Sequence, residues 1–164
     1  MIILGIDPGL ATLGYGVIET NGVRHKLIQY GTLTTPAHTE MAFRLRSLYD
    51  GMKELLATYK PDEVAFEELF FSKNVTTGIN VSMARGVALL AVAQYTDKLY
   101  EYTPMQIKQA ITGYGKADKH QMQQMVKILL NMKDIARPDD AADALAAAIT
   151  HANIGPAKRL FHIQ

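Results

Sequence analysis

The first third of the chain contains three apolar runs separated by short polar turns, a spacing typical of β-strands. The runs are IILGID at residues 2–7, LGYGVIET at 13–20 and HKLIQYGTLTT at 25–35. Asn21 and Gly22 lie between the second and third runs, and this dipeptide favours the positive backbone dihedrals of a tight hairpin turn. The pattern therefore predicts three consecutive strands that form an antiparallel meander.

A helical period follows the meander. Apolar side chains recur at intervals of three and four residues, at Leu45, Leu48, Met52, Leu55 and Tyr59, and Pro61 ends the pattern. DEVAFEELF (62–70) then predicts a fourth strand that is covered on both faces, and LYEYT (99–103) predicts a fifth.

Helices are predicted between and after these last two strands. MARGVALLAVAQY (83–95) is apolar nearly all round, which fits either a helix inside the core or a helix in an oligomer interface. The C-terminal part is predicted to be helical and to end with the alanine-rich DDAADALAAAITHA (139–152). The pattern as a whole indicates an α/β fold, with a mixed five-stranded sheet and helices on both faces.

Composition narrows the class of protein. The 164 residues are 48% hydrophobic and 20% charged, which suits one globular domain over residues 1–152 followed by a poorly ordered tail at 153–164. The chain has no cysteine, so disulfides and thiolate metal sites are excluded. No signal peptide and no apolar run of about 20 residues is recognised, so we expect a cytoplasmic protein with no membrane partner.

Charge is distributed unevenly, although the net charge is only +1. Between Tyr102 and Lys133 one acid, Asp118, stands against five lysines, namely Lys108, Lys116, Lys119, Lys127 and Lys133. A solvated helical face explains such a run by itself, and a surface that binds nucleic acid is the alternative.

Several acids lie in apolar surroundings. Asp7 ends the first predicted strand and Glu67 lies late in the fourth, while Asp140 and Asp143 are three residues apart and share one face of a helix. Carboxylates held close together require a cation, and oxygen ligands without histidine or cysteine suit Mg²⁺ or Mn²⁺.

Each acid also has a simpler explanation. Asp139 and Asp140 follow Pro138 at a predicted helix start, where acids are favoured by capping and by the helix dipole. Glu67 fits a charge on an edge strand, and Asp7 before Pro-Gly fits a turn. These explanations do not predict that the acids converge.

Five motifs in order resemble one known family. ILGIDPGLATLGYGVI, AFEELFFSKN, ARGVAL, QIKQAITGYGKADKHQM and DDAADALAAAITH are similar to the motifs of the RuvC Holliday-junction resolvases, which belong to the ribonuclease-H-like superfamily. The resemblance implies a ribonuclease-H-like sheet of three antiparallel strands and then two parallel ones. It covers the chain as far as about His151.

The resemblance also implies the site residues. The metal-binding acids are Asp7, Glu67, Asp140 and Asp143, with Asp139 an extra acid beside the set. Lys108 and Lys119 lie near the reacting phosphate, and Phe70 contacts junction bases. Further contacts to the DNA are expected from Lys73, Asn74, Arg85 and Lys116.

The expected activity is metal-dependent nicking of two opposing strands of a four-way junction, with two Mg²⁺ ions per site and Mn²⁺ as a substitute. It would leave 5′-phosphate and 3′-hydroxyl ends and serve homologous recombination and DNA repair. Because the junction has approximate two-fold symmetry, we expect a homodimer, with the helix containing ARGVALLAVAQY as its interface. A branch-migration motor complex is a further expected partner.

Two other classes of protein are considered. The first run and its glycine turn also resemble the phosphate loop of actin-like and sugar-kinase-like ATPases, but those proteins need a second similar domain. A junction-binding protein without catalysis, or a paralogue that acts on RNA, would lack part of the acidic set or of the GYGKADK segment, and both are present.

Overall fold

The computed structural model describes residues 1–69 and 75–163. In chain order its elements are β1 (Ile2–Asp7), β2 (Thr12–Thr20), β3 (His25–Thr34), α1 (Met41–Tyr59), β4 (Glu63–Glu67), α2 (Val75–Ala93), β5 (Leu99–Tyr102), α3 (Pro104–Thr112), α4 (Lys119–Leu129), α5 (Asp139–Ile154) and a C-terminal 3₁₀ helix (Gly155–Phe161).

The described strands form one sheet in the order β3-β2-β1-β4-β5. The pairs β1–β2 and β2–β3 are antiparallel, whereas β1–β4 and β4–β5 are parallel. The predicted meander and the mixed five-stranded fold are therefore confirmed. At the turn between β2 and β3, Asn21 Oδ1 accepts hydrogen bonds from the backbone N–H groups of Val23 and Arg24, and Gly22 has a φ of 91°.

The two faces of the sheet bury separate apolar cores. Ile3 on β1 packs in a core with α5, while Leu4 and Ile6 on the same strand pack in a core with α1 and α2. This alternation follows from the two-residue period of a strand. Asp7 has the same parity as Ile3, so its side chain lies on the α5 face.

The helix α5 lies unusually close to the sheet. A methyl group added at Gly5 would be 2.0 Å from the backbone oxygen of Ala144, and one added at Gly14 would be 2.1 Å from that of Asp140. Glycine at these two strand positions therefore allows the backbone of the helix to contact the sheet directly.

Helix boundaries differ from the sequence predictions in places. As predicted, α1 ends before Pro61, and Lys60 closes it in the left-handed conformation with φ of 46°. In contrast, α2 begins at Val75, eight residues before the predicted start, and β4 ends at Glu67, three residues before the predicted end. Two of these fourth-strand residues, Glu68 and Leu69, lie beyond the strand in the structure.

The tail after residue 152, for which the sequence predicts poor order, packs against β5 in the described residues. Helix α5 continues to Ile154, and the 3₁₀ helix places the ring of Phe161 5.0 Å from that of Tyr102. The backbone N–H of Ile163 donates to Leu99 O at 3.0 Å. Apolar and backbone contacts with β5 therefore hold the tail against the sheet edge.

A buried polar network strengthens this attachment. Glu63 accepts a hydrogen bond from Lys158 Nζ at 2.5 Å and lies 2.6 Å from His151 Nε2, while His151 Nδ1 lies 2.6 Å from the hydroxyl of Tyr102. With Glu63 as a carboxylate, a neutral His151 donates from Nε2 and accepts the Tyr102 O–H at Nδ1. The network joins β4, β5, α5 and the tail.

One described helix, α2, is long and apolar enough over Thr76–Ala93 to satisfy a simple criterion for a membrane span. Such a single helix is weak evidence, because core and interface helices satisfy the same criterion. On α2, Ala84, Ala88, Ala91 and Val92 are buried against the α1 face of the sheet.

Candidate active site

Two carboxylates lie at the C-terminal ends of two neighbouring inner strands of the sheet. Asp7 ends β1 and Glu67 ends β4, and these strands are parallel neighbours in which Ile6 pairs with Phe66. Because Ile6 and Phe66 pack toward α1 and α2, the next residue on each strand lies on the α5 face. The register therefore puts Asp7 and Glu67 side by side under α5.

The helix α5 supplies two more carboxylates. Asp140 lies in its first turn and Asp143 one turn later, so both occur on one face of the helix. The close approach at Gly14, directly beneath the Asp140 backbone, brings this face down to the strand ends. We call Asp7, Glu67, Asp140 and Asp143 the acid cluster.

The electrostatics of the acid cluster show that its members lie close enough to repel one another. Burial raises the pKa of Asp7 to about 8, with further increases from Glu67, Asp143 and Asp140 and a decrease from Lys119. Burial likewise raises the pKa of Glu67 to about 7, with Asp143 adding to it and Lys119 and Lys108 opposing it. The pKa of Asp143 is also raised by burial.

Lys119 forms ion pairs with two aspartates of α5. Its Nζ lies 3.4 Å from Asp143 Oδ2 and 3.1 Å from Asp139 Oδ2. Asp118 caps α4 by accepting from the Gln121 N–H at 2.8 Å, so Lys119 is fixed as the first residue of that helix. The cap positions the amino group at the edge of the acid cluster.

Asp139 has three hydrogen-bonding partners among the described residues. Besides Lys119, it accepts hydrogen bonds from Arg137 and, at 2.9 Å, from Gln123 Nε2. The hydrogen bond from Lys119 is the main reason that its pKa lies below the ordinary value. Sequence reasoning treated Asp139 as an extra acid and missed its pairing with Lys119, since the two lie 20 residues apart on different helices.

Lys108 and Lys119 share a hollow with the acids. This hollow, of about 250 Å³, is lined by Glu67, Lys108, Lys119 and Asp143 together with apolar side chains from α3, α4 and α5. It therefore places two cations beside two members of the acid cluster. Lys116 is exposed on the loop between α3 and α4 and has no ion pair in the described part of the chain.

The remaining residues predicted to contact DNA do not line this hollow in the described structure. Arg85 on α2 forms an ion pair with Glu101 on β5, and the two side chains are 24% and 28% exposed. Glu101 pairs in register with Phe66, so this ion pair lies on the face of the sheet opposite to the acid cluster. Phe70, Lys73 and Asn74 lie outside the described residues.

The donor chemistry of the acid cluster suits a hard divalent cation. Asp7, Glu67 and Asp140 accept no hydrogen bond from the described residues, and their surroundings contain neither cysteine nor histidine ligands. Within residues 1–69 and 75–163, no three ligating side chains are already close enough to enclose an ion. The cluster thus has the charge and the oxygen donors for a cation.

Comparison with known proteins assigns nearly the whole chain to one family. The family model for crossover junction endodeoxyribonuclease RuvC matches residues 3–151. A RuvC from Alkaliphilus metalliredigens is 52% identical over 164 residues, all of both chains, and one from Clostridioides difficile is 54% identical over 153 residues, 93% of this chain and 90% of the relative.

A solved structure agrees with these relatives. The structure described as T. thermophilus RuvC in complex with Holliday junction substrate superposes with a TM-score of 0.90 at 34% identity, covering 96% of each chain. The chain therefore belongs to the RuvC family of crossover junction endodeoxyribonucleases.

Proposed function

We propose that this protein resolves four-way Holliday junctions by nicking two opposing strands symmetrically, in homologous recombination and DNA repair. It is an endodeoxyribonuclease that hydrolyses phosphodiesters and leaves 5′-phosphate and 3′-hydroxyl ends. The observation that carries the proposal is the acid cluster, which is formed by two strand ends and one helix. Two of its members, Glu67 and Asp143, line a hollow together with Lys108 and Lys119. The junction complex of the T. thermophilus relative supports the choice of substrate.

The acid cluster is the proposed metal site. Asp7, Glu67, Asp140 and Asp143 would hold Mg²⁺, with two ions per site, and Mn²⁺ would substitute because it shares the preference for oxygen ligands. When bound, such ions activate water and neutralise charge on the phosphate. The carboxylates would orient the ions. The raised pKa values of Asp7 and Glu67 come first from burial and then from neighbouring carboxylates, and a bound cation would stabilise the ionised forms of both groups.

Lys108 and Lys119 are proposed to stabilise the phosphate as it gains negative charge. Both line the hollow beside Glu67 and Asp143, so a phosphate seated there meets two ammonium groups. Contacts of this kind contribute most when they are stronger in the transition state than in the ground state. Lys119 would exchange part of its present pairing with Asp139 and Asp143 for the phosphate.

Other residues are proposed to position the junction. Exposed Lys116 would contact a backbone phosphate, as would Lys73 and Asn74, and Phe70 would stack on or between bases. Arg85 would have to give up Glu101 before it could bind a phosphate, so its contribution is expected to be smaller than that of Lys116.

A homodimer would supply the two active sites that symmetric cutting requires. The exposed side of α2 presents Ile79, Met83 and Leu90, which are 51%, 42% and 53% exposed and recur at helical spacing around Gly86. We propose this apolar stripe as the dimer interface, because burying it against a second copy would remove its apolar side chains from water.

A branch-migration motor is a proposed partner, and the cytoplasm is the proposed location.

The proposed activity is tested with a synthetic four-way junction and a linear duplex of matched sequence, each incubated with the protein and Mg²⁺. We expect paired nicks at opposing positions of the junction and none in the duplex. Equal cutting of both substrates would indicate a general nuclease, and binding to the junction without cutting would indicate a non-catalytic protein.

A further inference from the structure

A groove adjoins the acid cluster on the side of Asp140. It has a volume of about 510 Å³ and is lined by the loop between β1 and β2, by Arg44 of α1, by Asn80 and Val81 of α2, and by Asp140. The hollow that contains Lys108 and Lys119 has no lining residue in common with it, yet the acid cluster contributes side chains to both. The acid cluster therefore borders both cavities.

Arg44 is the cationic residue that lines this groove. Its Nε donates to Thr35 Oγ1 at 2.9 Å and its Nη2 lies 3.5 Å from Thr35 O. Thr35 is in turn buried and donates to Leu10 O at 2.5 Å, so the guanidinium is held from the base of the groove. In residues 1–69 and 75–163, Arg44 has no carboxylate partner.

The groove thus has unused hydrogen-bonding capacity. A guanidinium has five N–H donors in a planar fork, and the contacts to Thr35 use only part of them. Thr12 and Asn80, which also line the groove, have polar side chains that form no hydrogen bond with the described residues. A half-buried cation beside free polar groups is stabilised by an anion, and the fork geometry of arginine matches a phosphate.

We propose that this groove holds the backbone of the cleaved DNA strand on one side of the cut, with Arg44 binding a phosphate within two nucleotides of the scissile one and Asn80 and Thr12 as neutral contacts. The inference rests on the proposed function, since it assumes that a strand crosses the acid cluster. Arg44 would also offset the repulsion between that strand and Asp140, which forms the adjacent wall.

The test compares Arg44→Gln with Arg46→Gln. Both changes remove one positive charge from α1, but the Arg46 side chain is 76% exposed and pairs with Asp50 outside the groove. Junction affinity is measured over a range of salt concentrations with Ca²⁺ in place of Mg²⁺. We expect Arg44→Gln to lower the slope of log affinity against log salt by about one unit, and Arg46→Gln to leave it unchanged. Equal slopes for both variants and the wild type would overturn the proposal.

A second measurement changes the DNA as well as the protein. Neutral methylphosphonates are placed one at a time along the cleaved strand and tested on wild-type protein and on Arg44→Gln. We expect one position within two nucleotides of the cut to weaken wild-type binding and to have no further effect on Arg44→Gln. Additive losses at every position would overturn the inference.

Two controls separate this inference from other outcomes. Wild-type protein that neither binds nor cuts the junction contradicts the proposed function itself, whereas normal cutting with an unchanged salt slope for Arg44→Gln contradicts only the inference. If inorganic phosphate raises the Tm of the wild type but not of Arg44→Gln, while the junction slope is unchanged, the groove is a small-anion site and the proposal is wrong.

Discussion

A methyl group on the Cα of Gly14 would lie 2.1 Å from the backbone oxygen of Asp140 and 3.0 Å from its Cβ. Gly14 pairs with Asp7 across β1 and β2, so the same short stretch of sheet supports both carboxylates. Their separation therefore depends on how closely α5 approaches a strand that has no side chain at this point.

Replacing Gly14 with alanine is expected to move the start of α5 away from the sheet. Since the added carbon meets backbone rather than a flexible side chain, we expect a loss of about 1–3 kcal/mol in the free energy of unfolding. Cleavage should fall more than junction binding, because the shift separates Asp140 from Asp7. Urea unfolding and single-turnover cleavage measure the two effects, and wild-type values in both would contradict the close packing.

Asp7→Asn tests the metal site by two measurements, one of cleavage and one of metal binding. The substitution keeps the shape but removes a charge that the ions need, so we expect cleavage to be lost while junction binding survives through phosphate contacts. Mg²⁺ should raise the Tm of the wild type and have a smaller effect on the variant. Substantial Mg²⁺-dependent cleavage by Asp7→Asn would show that Asp7 is not a required ligand.

The raised pKa of Asp7 predicts that the stability of the folded protein depends on pH. A carboxyl group whose pKa is raised on folding stabilises the folded state at low pH, and this contribution is lost as the pH rises from about 4 through about 8. Metal-free wild type should therefore lose stability relative to Asp7→Asn over this range, while Mg²⁺ affinity increases as Asp7 and Glu67 ionise. Unfolding curves from pH 5 to 8 check this, and parallel profiles for the two proteins would contradict it.

The neighbouring aspartates are expected to differ. Asp140→Asn and Asp143→Asn should each abolish most cleavage, since both carboxylates belong to the acid cluster. Asp139→Asn should cost little, because that carboxylate already pairs with Lys119, Gln123 and Arg137 and is not a member of the acid cluster. The measurement is the cleavage rate of the three variants when all of the junction is bound. An equal loss for Asp139→Asn would mean that the metal-binding aspartates have been assigned wrongly.

Lys119→Ala distinguishes a role of this lysine in catalysis from a role in DNA binding. If the ammonium group stabilises charge that develops on the phosphate, the variant should cleave fully bound junction about 10²–10³ times more slowly and bind almost as well. Lys133→Ala is the control, since that lysine is exposed on the loop before α5. Wild-type single-turnover rates for Lys119→Ala would reject a catalytic role, and weaker binding with a normal rate would make it a phosphate contact.

The pattern of residues along the chain determined the elements and the order in which they occur. Alternation in β1 to β3, the Asn21-Gly22 turn and the spacing from Leu45 to Tyr59 are local signals, because they depend on strand and helix periods and on turn dihedrals. Asp7 and Glu67 could be placed at strand ends for the same reason. The family resemblance then supplied the expected roles of Asp140, Asp143 and the lysines.

Contacts between distant segments were decided only by the tertiary structure. The pairing of Lys119 with Asp139, of Arg85 with Glu101 and of the tail residue Lys158 with Glu63 joins residues 16 to 95 positions apart. No local period encodes such pairs, since they depend on crossing distances between elements, and at α5 this distance is set by the glycines beneath it. The groove beside Arg44 likewise exists only because α1, α2 and the β1–β2 loop enclose it in the folded chain.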